Sequence, residues 1–159
     1  EMTAKTKTIE RQKVSISEGE TNYLGTGVTL VDCEVFLHPP VRRVVVSDVD
    51  FVRCRLHAQR PMKNFEFSGN RLGQCVFTGT YLGCDFGRDA GGDGPRGTVD
   101  ACDFRSSTLM DCRFLDCNLV GTCFPPWPSF VIASPMERLG ALLALPWPGE
   151  TEEVLGALE

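Results

Sequence analysis

Long apolar runs are missing from this chain of 159 residues. No stretch approaches the ~18 consecutive apolar residues of a membrane-spanning helix, and no apolar signal region follows the opening Glu-Met-Thr-Ala-Lys-Thr-Lys. Together these predict a cytoplasmic protein with no membrane contact, with Met2 as its start. Histidine is scarce. Only His38 and His57 could exchange protons near neutral pH, and neither has a nucleophile at a useful spacing, so no catalytic residue is expected. No Cys-x-x-Cys occurs, which argues against a zinc site. Gly91-Gly92-Asp93-Gly94 lacks the Gly-Lys-Ser/Thr ending of a phosphate loop and the further Asp of a calcium-binding β-roll turn. No metal or cofactor is expected.

What is present is a cadence of five. Between residues 102 and 124 a large apolar residue returns at Phe104, Leu109, Phe114, Leu119 and Phe124, and two positions before each stands a small residue: Cys102, Ser107, Cys112, Cys117 and Thr122. Neither the helical period of about 3.6 nor the strand period of 2 produces this. A fixed self-similar period marks a stacked architecture in which each unit needs neighbours to bury its apolar face. If each pentapeptide forms one side of a squarish coil, both the large centre residue and the small residue before it point inward.

With these residues the chain resembles the pentapeptide-repeat family, over roughly residues 24–124. The resemblance implies an all-β solenoid, a right-handed quadrilateral β-helix of about five coils with a short C-terminal helical cap. The cadence is clearest at 102–124 and from Phe65 to Leu82. Departures are Cys where the family usually has Ala, and Asp or Asn between the inward residues only at Asp50, Asp85, Asp103 and Asn118.

A second period of 21 residues joins the first coils. Leu30, Cys33 and Val35 align with Phe51, Cys54 and Leu56, and with Leu72, Cys75 and Phe77. Each of these coils is therefore four pentapeptides plus one residue, which falls at His38-Pro39-Pro40 and Gln59-Arg60-Pro61, since proline tolerates such corners. The cadence slips by one at Cys84-Asp85-Phe86. Eight cysteines would suggest a disulfide framework in a short secreted chain, yet seven stand two before a Val, Leu or Phe, where a thiol acts as a small hydrophobe. Cys123 alone is expected to face outward.

Three regions follow. Residues 1–22 form a tail and a cap over the first coil, residues 23–124 the repeats, and residues 125–159 a proline-rich terminator and helices. A loop projects at 87–97. Trp127, Phe130 and Ile132 are large enough to cover the last coil. Ser134-Pro135 reads as the start of a helix running to about Leu145, with Met136, Leu139, Leu142 and Leu143 on one face, and a second short helix is expected at 150–158. The resemblance implies that such helices join two molecules tail to tail in a homodimer. The alternative is that they fold back on their own coil.

The best-known relatives in that family mimic DNA and occupy the DNA-binding saddle of DNA gyrase, which would require a regular acidic surface. Here Glu34, Asp50, Glu66, Asp85 and Asp103 are outward candidates, but Arg55, Arg71 and Arg113 share their register, and the net charge is −5. A mixed-charge surface suits a specific protein partner. The first expectation is a non-enzymatic interaction scaffold, such as an immunity protein that neutralises a toxin, with no direct nucleic-acid binding. Arg88, Asp89, Asp93 and Arg96 of the loop would join the acidic positions in contact. The alternative is a DNA-mimicking topoisomerase modulator, and a third reading is a redox protein using Cys123.

Overall fold

In the computed structural model the residues described are 6–17, 23–25, 27–38, 45–88 and 97–146. The chain divides into two compact units, Glu1–Ser129 and Phe130–Glu159. Among the described residues the regular elements of the first are short strands. In chain order they are β1 (Lys7–Glu10), β2 (Lys13–Ile16), β3 (Tyr23–Leu24), β4 (Val28–Val31), β5 (Glu34–Leu37), β6 (Val45–Val46), β7 (Val49–Val52) and β8 (Arg55–Ala58). They continue as β9 (Met62–Lys63), β10 (Arg71–Gly73), β11 (Val76–Leu82), β12 (Asp85–Gly87), β13 (Thr98–Asp100), β14 (Ser107–Met110) and β15 (Arg113–Leu115).

Every pairing between these strands is parallel. Five strands form one sheet in the order β1-β4-β7-β10-β13, and a second runs β14-β11-β8-β5-β2 with β9 also on β11. Two smaller sheets pair β12 with β15 and β3 with β6. Registers in the first half of the larger sheets match the 21-residue period, with Ile9 beside Leu30, Leu30 beside Phe51 and Phe51 beside Leu72, while β3 pairs β6 at an offset of 22. The second sheet repeats this with Val14, Val35, Leu56 and Phe77. The register therefore begins at Lys7, before the pentapeptide cadence is recognisable.

Two departures carry structural meaning. Tyr81 pairs with Met62, an offset of 19 where His57 and Thr78 keep 21. Tyr81, not Leu82, is the buried centre residue at this point. The slip thus falls between Phe77 and Tyr81, earlier than Cys84, because Gly79 at φ +94° lets the chain turn sooner. The 87–97 segment then shifts the next registers, Leu72 with Val99 and Tyr81 with Leu109.

The core is continuous and aromatic at its centre. Phe67, Phe86 and Phe114 stack with centroid spacings of 4.9 and 5.0 Å, and Phe77, Phe104 and Phe124 stack at 4.4 and 6.0 Å. The two stacks meet edge to face, as in Phe77 against Phe86 at 5.7 Å and 89°, the arrangement that ring quadrupoles favour. Each fully buried ring contributes on the order of 1.5–3 kcal/mol.

In the second unit one helix, α1 (Leu139–Leu143), is present among the described residues. It is shorter than the sequence predicts. Ser134 takes a left-handed φ of 47°, incompatible with an N-cap, and Glu137 and Arg138 bond back by only three residues, to Ser134 and Pro135. Met136 precedes the helix and is exposed, as are Phe130 and Leu143; Leu139 and Leu142 are half-buried. The segment expected to form a second helix, 150–158, lies outside the described residues. No described helix is long and apolar enough to cross a membrane.

Candidate interaction surface

Alternation decides what faces out. In parallel strands paired in register, outward residues line up in rows across the sheet. One row is Thr8, Thr29, Asp50, Arg71 and Thr98; another is Ser15, Phe36, His57 and Thr78. His57 stacks on Phe36 at 5.2 Å and its Nδ1 lies 2.7 Å from Thr78 Oγ1. It is a member of a surface row, placed by packing.

The corners carry a row of their own. Arg11, Asp32, Arg53, Gln74 and Ala101 all adopt left-handed φ between 48° and 54°, a conformation costing roughly 1–2 kcal/mol for a residue with a Cβ. Their equivalent places stack Arg53 directly on Asp32, with Nε and Nη2 donating to the two carboxylate oxygens at 2.8 and 3.0 Å. Arg53 holds the Asp32 carboxyl below the usual carboxylate range.

The same pairing recurs around the molecule. Arg71 donates to Asp50 and to Asp48, the latter at 2.9 Å. Arg113 grips Asp85 at 2.6 and 2.8 Å, and Arg88 reaches Asp116 at 2.9 Å. Arg105 holds Asp103 at 2.7 and 3.0 Å and lowers its pKa. Lys13 stands 3.9 Å from Glu34. Of the acidic candidates read from sequence, Glu34, Asp50, Asp85 and Asp103 are therefore paired with cations. Glu66 is exposed, its backbone bridging Asp85. Arg88 sits at the rim of a polar cavity of about 230 Å³ lined by Arg88, Gly97, Thr98 and Asp116. Asp89, Asp93 and Arg96 lie outside the described residues.

The thiols are interior. Cys33, Cys54, Cys75, Cys84 and Cys102 are buried, Cys112 and Cys117 half-buried, and Cys123 exposed. Each of the first six, Cys112 included and Cys117 not, donates weakly to a carbonyl of a neighbouring strand or turn, for example Cys54 to Leu30 at 3.3 Å and Cys75 to Phe51 at 3.4 Å. Contact with Cys102 and Cys54, reinforced by burial, pushes the Cys75 thiol well up. A thiol held up in this way is a poor nucleophile. Among the described residues no three His, Cys, Asp or Glu side chains converge as metal ligands.

Sequence reasoning missed Asn70. Its side chain is fully buried, accepts from the Val49 N–H at 3.1 Å and donates to the Val46 and Phe67 carbonyls at 2.9 and 3.0 Å. It stands in the row of Val28 and Val49, a place the 21-residue period does identify. The ion pairs Asp32–Arg53 and Asp50–Arg71 also lie 21 residues apart and could have been read from that period.

Taken as a class, this is an all-parallel β protein of stacked sheets. No protein-family model matches the chain, and comparison with curated proteins and with solved structures finds no match.

Proposed function

We propose that this protein is a non-enzymatic scaffold that recognises one specific protein partner, in the manner of an immunity protein. The observation that carries this is the pairing of outward carboxylates with arginines at Asp32, Asp50, Asp85, Asp103 and Asp116. A surface standing in for duplex DNA needs a run of uncompensated negative charge to meet a basic groove. Here the guanidinium groups already occupy those carboxylates, and a patterned mixed-charge surface gives specificity and register against another protein.

The parallel strands, the 21-residue register and the five-residue cadence support a right-handed quadrilateral β-helix of about five coils, and membership of the pentapeptide-repeat family. On this reading the loop at 87–97, the corners near His38 and Gln59, and the ion-paired rows form the recognition surface. The exposed Trp127, Phe130 and Met136 favour a homodimer through the C-terminal segment.

The test is capture of partners from source lysate on tagged protein at low and moderate salt, identified by mass spectrometry. A single protein retained at moderate salt, and lost when residues 88–96 are replaced by a short glycine linker, supports the scaffold. Recovery of gyrase or another topoisomerase that falls away as salt rises would replace it with the DNA-mimic reading.

A further inference from the structure

We propose that Cys84 and Cys112 form a two-coordinate site for a soft, thiophilic cation, the class that includes copper(I), silver(I) and mercury(II). The register of β12 on β15 places Asp85 beside Arg113. The residues just before them, Cys84 and Cys112, therefore stand side by side, and the Arg113 N–H donates to the Cys84 carbonyl at 3.0 Å. Cys84 is buried and Cys112 half-buried, each two positions before a ring of the stacked pair Phe86 and Phe114, 5.0 Å apart, so the two thiols are inward neighbours on successive strands.

The spacing suits the chemistry. Neighbouring strands lie about 4.8 Å apart and repeat their side chains at that step. Two metal–thiolate bonds of roughly 2.3 Å, the length zinc shows, span nearly the same distance end to end. An ion can thus sit between the sulfurs with little movement of the backbone. Cys84 is also the most loosely held of the buried thiols, its sulfur 3.7 Å from both the Met62 and Leu82 carbonyls, against 3.3–3.6 Å at Cys33, Cys54, Cys75 and Cys102.

Ligand number narrows the ion. Because no third His, Cys, Asp or Glu converges among the described residues, tetrahedral zinc is disfavoured, and a bare thiolate pair selects soft cations. Access separates this pair from the other thiol row. Cys54, Cys75 and Cys102 are wholly buried, whereas Cys112 is only half-buried. Binding breaks two S–H bonds, forms two S–metal bonds and releases two protons to solvent, with no change of oxidation state. With mercury(II) the complex is neutral, which an apolar interior tolerates.

Mercury(II) is the probe, added to the Cys123→Ser protein so that the exposed thiol does not compete. Native mass spectrometry should show one ion per chain that survives excess glutathione, because two protein sulfurs hold it. Cys112→Ala and Cys84→Ala should each reduce glutathione-resistant uptake at least tenfold, and Cys75→Ala should leave it unchanged. Circular dichroism checks folding, and if Cys84→Ala fails to fold, Cys112→Ala decides alone. Uptake unaffected by Cys112→Ala, uptake lost with Cys75→Ala, or complete stripping by glutathione would each overturn the site.

Discussion

Asn70 joins backbone from Val46, Val49 and Phe67 through one side chain. Removing it strands buried donors and acceptors, each costing roughly 1–3 kcal/mol. Asn70→Ala should therefore lower stability by about 2–4 kcal/mol, read as a drop in urea midpoint with unchanged slope. Its place two before Leu72 is an inward one by the cadence, but its polarity conceals this, since a polar side chain reads as outward until its partners are known. The aromatic positions were easier, because Phe104, Phe114 and Phe124 follow the cadence directly. Their burial is graded, however: Phe86 and Phe104 are fully buried while Phe114 and Phe124 are only partly so. Phe86→Ala should cost about 3–5 kcal/mol, and Phe114→Ala, for which the cadence alone implies the same loss, should cost measurably less in the same titration.

At the scale of the element, turns decide what strands cannot. Gly79 lies at φ +94°, and a Cβ there would stand 2.5 Å from the Ala58 carbonyl oxygen. Gly79→Ala should destabilise by about 2–3 kcal/mol, visible as a lowered thermal midpoint. The reason the slip near Tyr81 was misplaced in the sequence is the same glycine: with Tyr81 and Leu82 adjacent and both apolar, cadence favours Leu82, and only the turn geometry selects Tyr81. The corner pairs add a pH dependence. Arg53 and Arg105 hold Asp32 and Asp103 below their ordinary pKa, so these carboxylates contribute stability above an unfolded value near 3.9 and lose it as pH falls through the lower folded value. Urea midpoints should fall on the acid side of about pH 4, and Arg53→Gln should flatten that fall while changing little at neutral pH, as expected for exposed pairs. The C-terminal helix was overestimated because a good apolar spacing says nothing of the left-handed Ser134 that delays its start.

The whole molecule is held by repetition. In the first half of the two larger sheets, strands 21 residues apart pair in parallel, and that period was legible because Leu30, Phe51 and Leu72, with Cys33, Cys54 and Cys75, recur without interruption. Beyond residue 87 the same stacking persists at offsets of 27 and 28, which no fixed period reveals once a loop intervenes. For that reason the pairs Asp85–Arg113 and Arg88–Asp116 were hidden, and the candidate acidic surface looked freer than it is. A protein built this way has nearly one-dimensional energetics, in which each step supports only its neighbours. The most direct measurement is a matched pair of deletions. Removing residues 49–69, one full 21-residue step, brings Asn70 and Leu72 onto Val28 and Leu30 and should leave a folded β protein with one cooperative transition at a lower midpoint. Removing residues 49–58, about half a step, should abolish that transition. If both deletions unfold the protein alike, stacking in 21-residue steps is wrong.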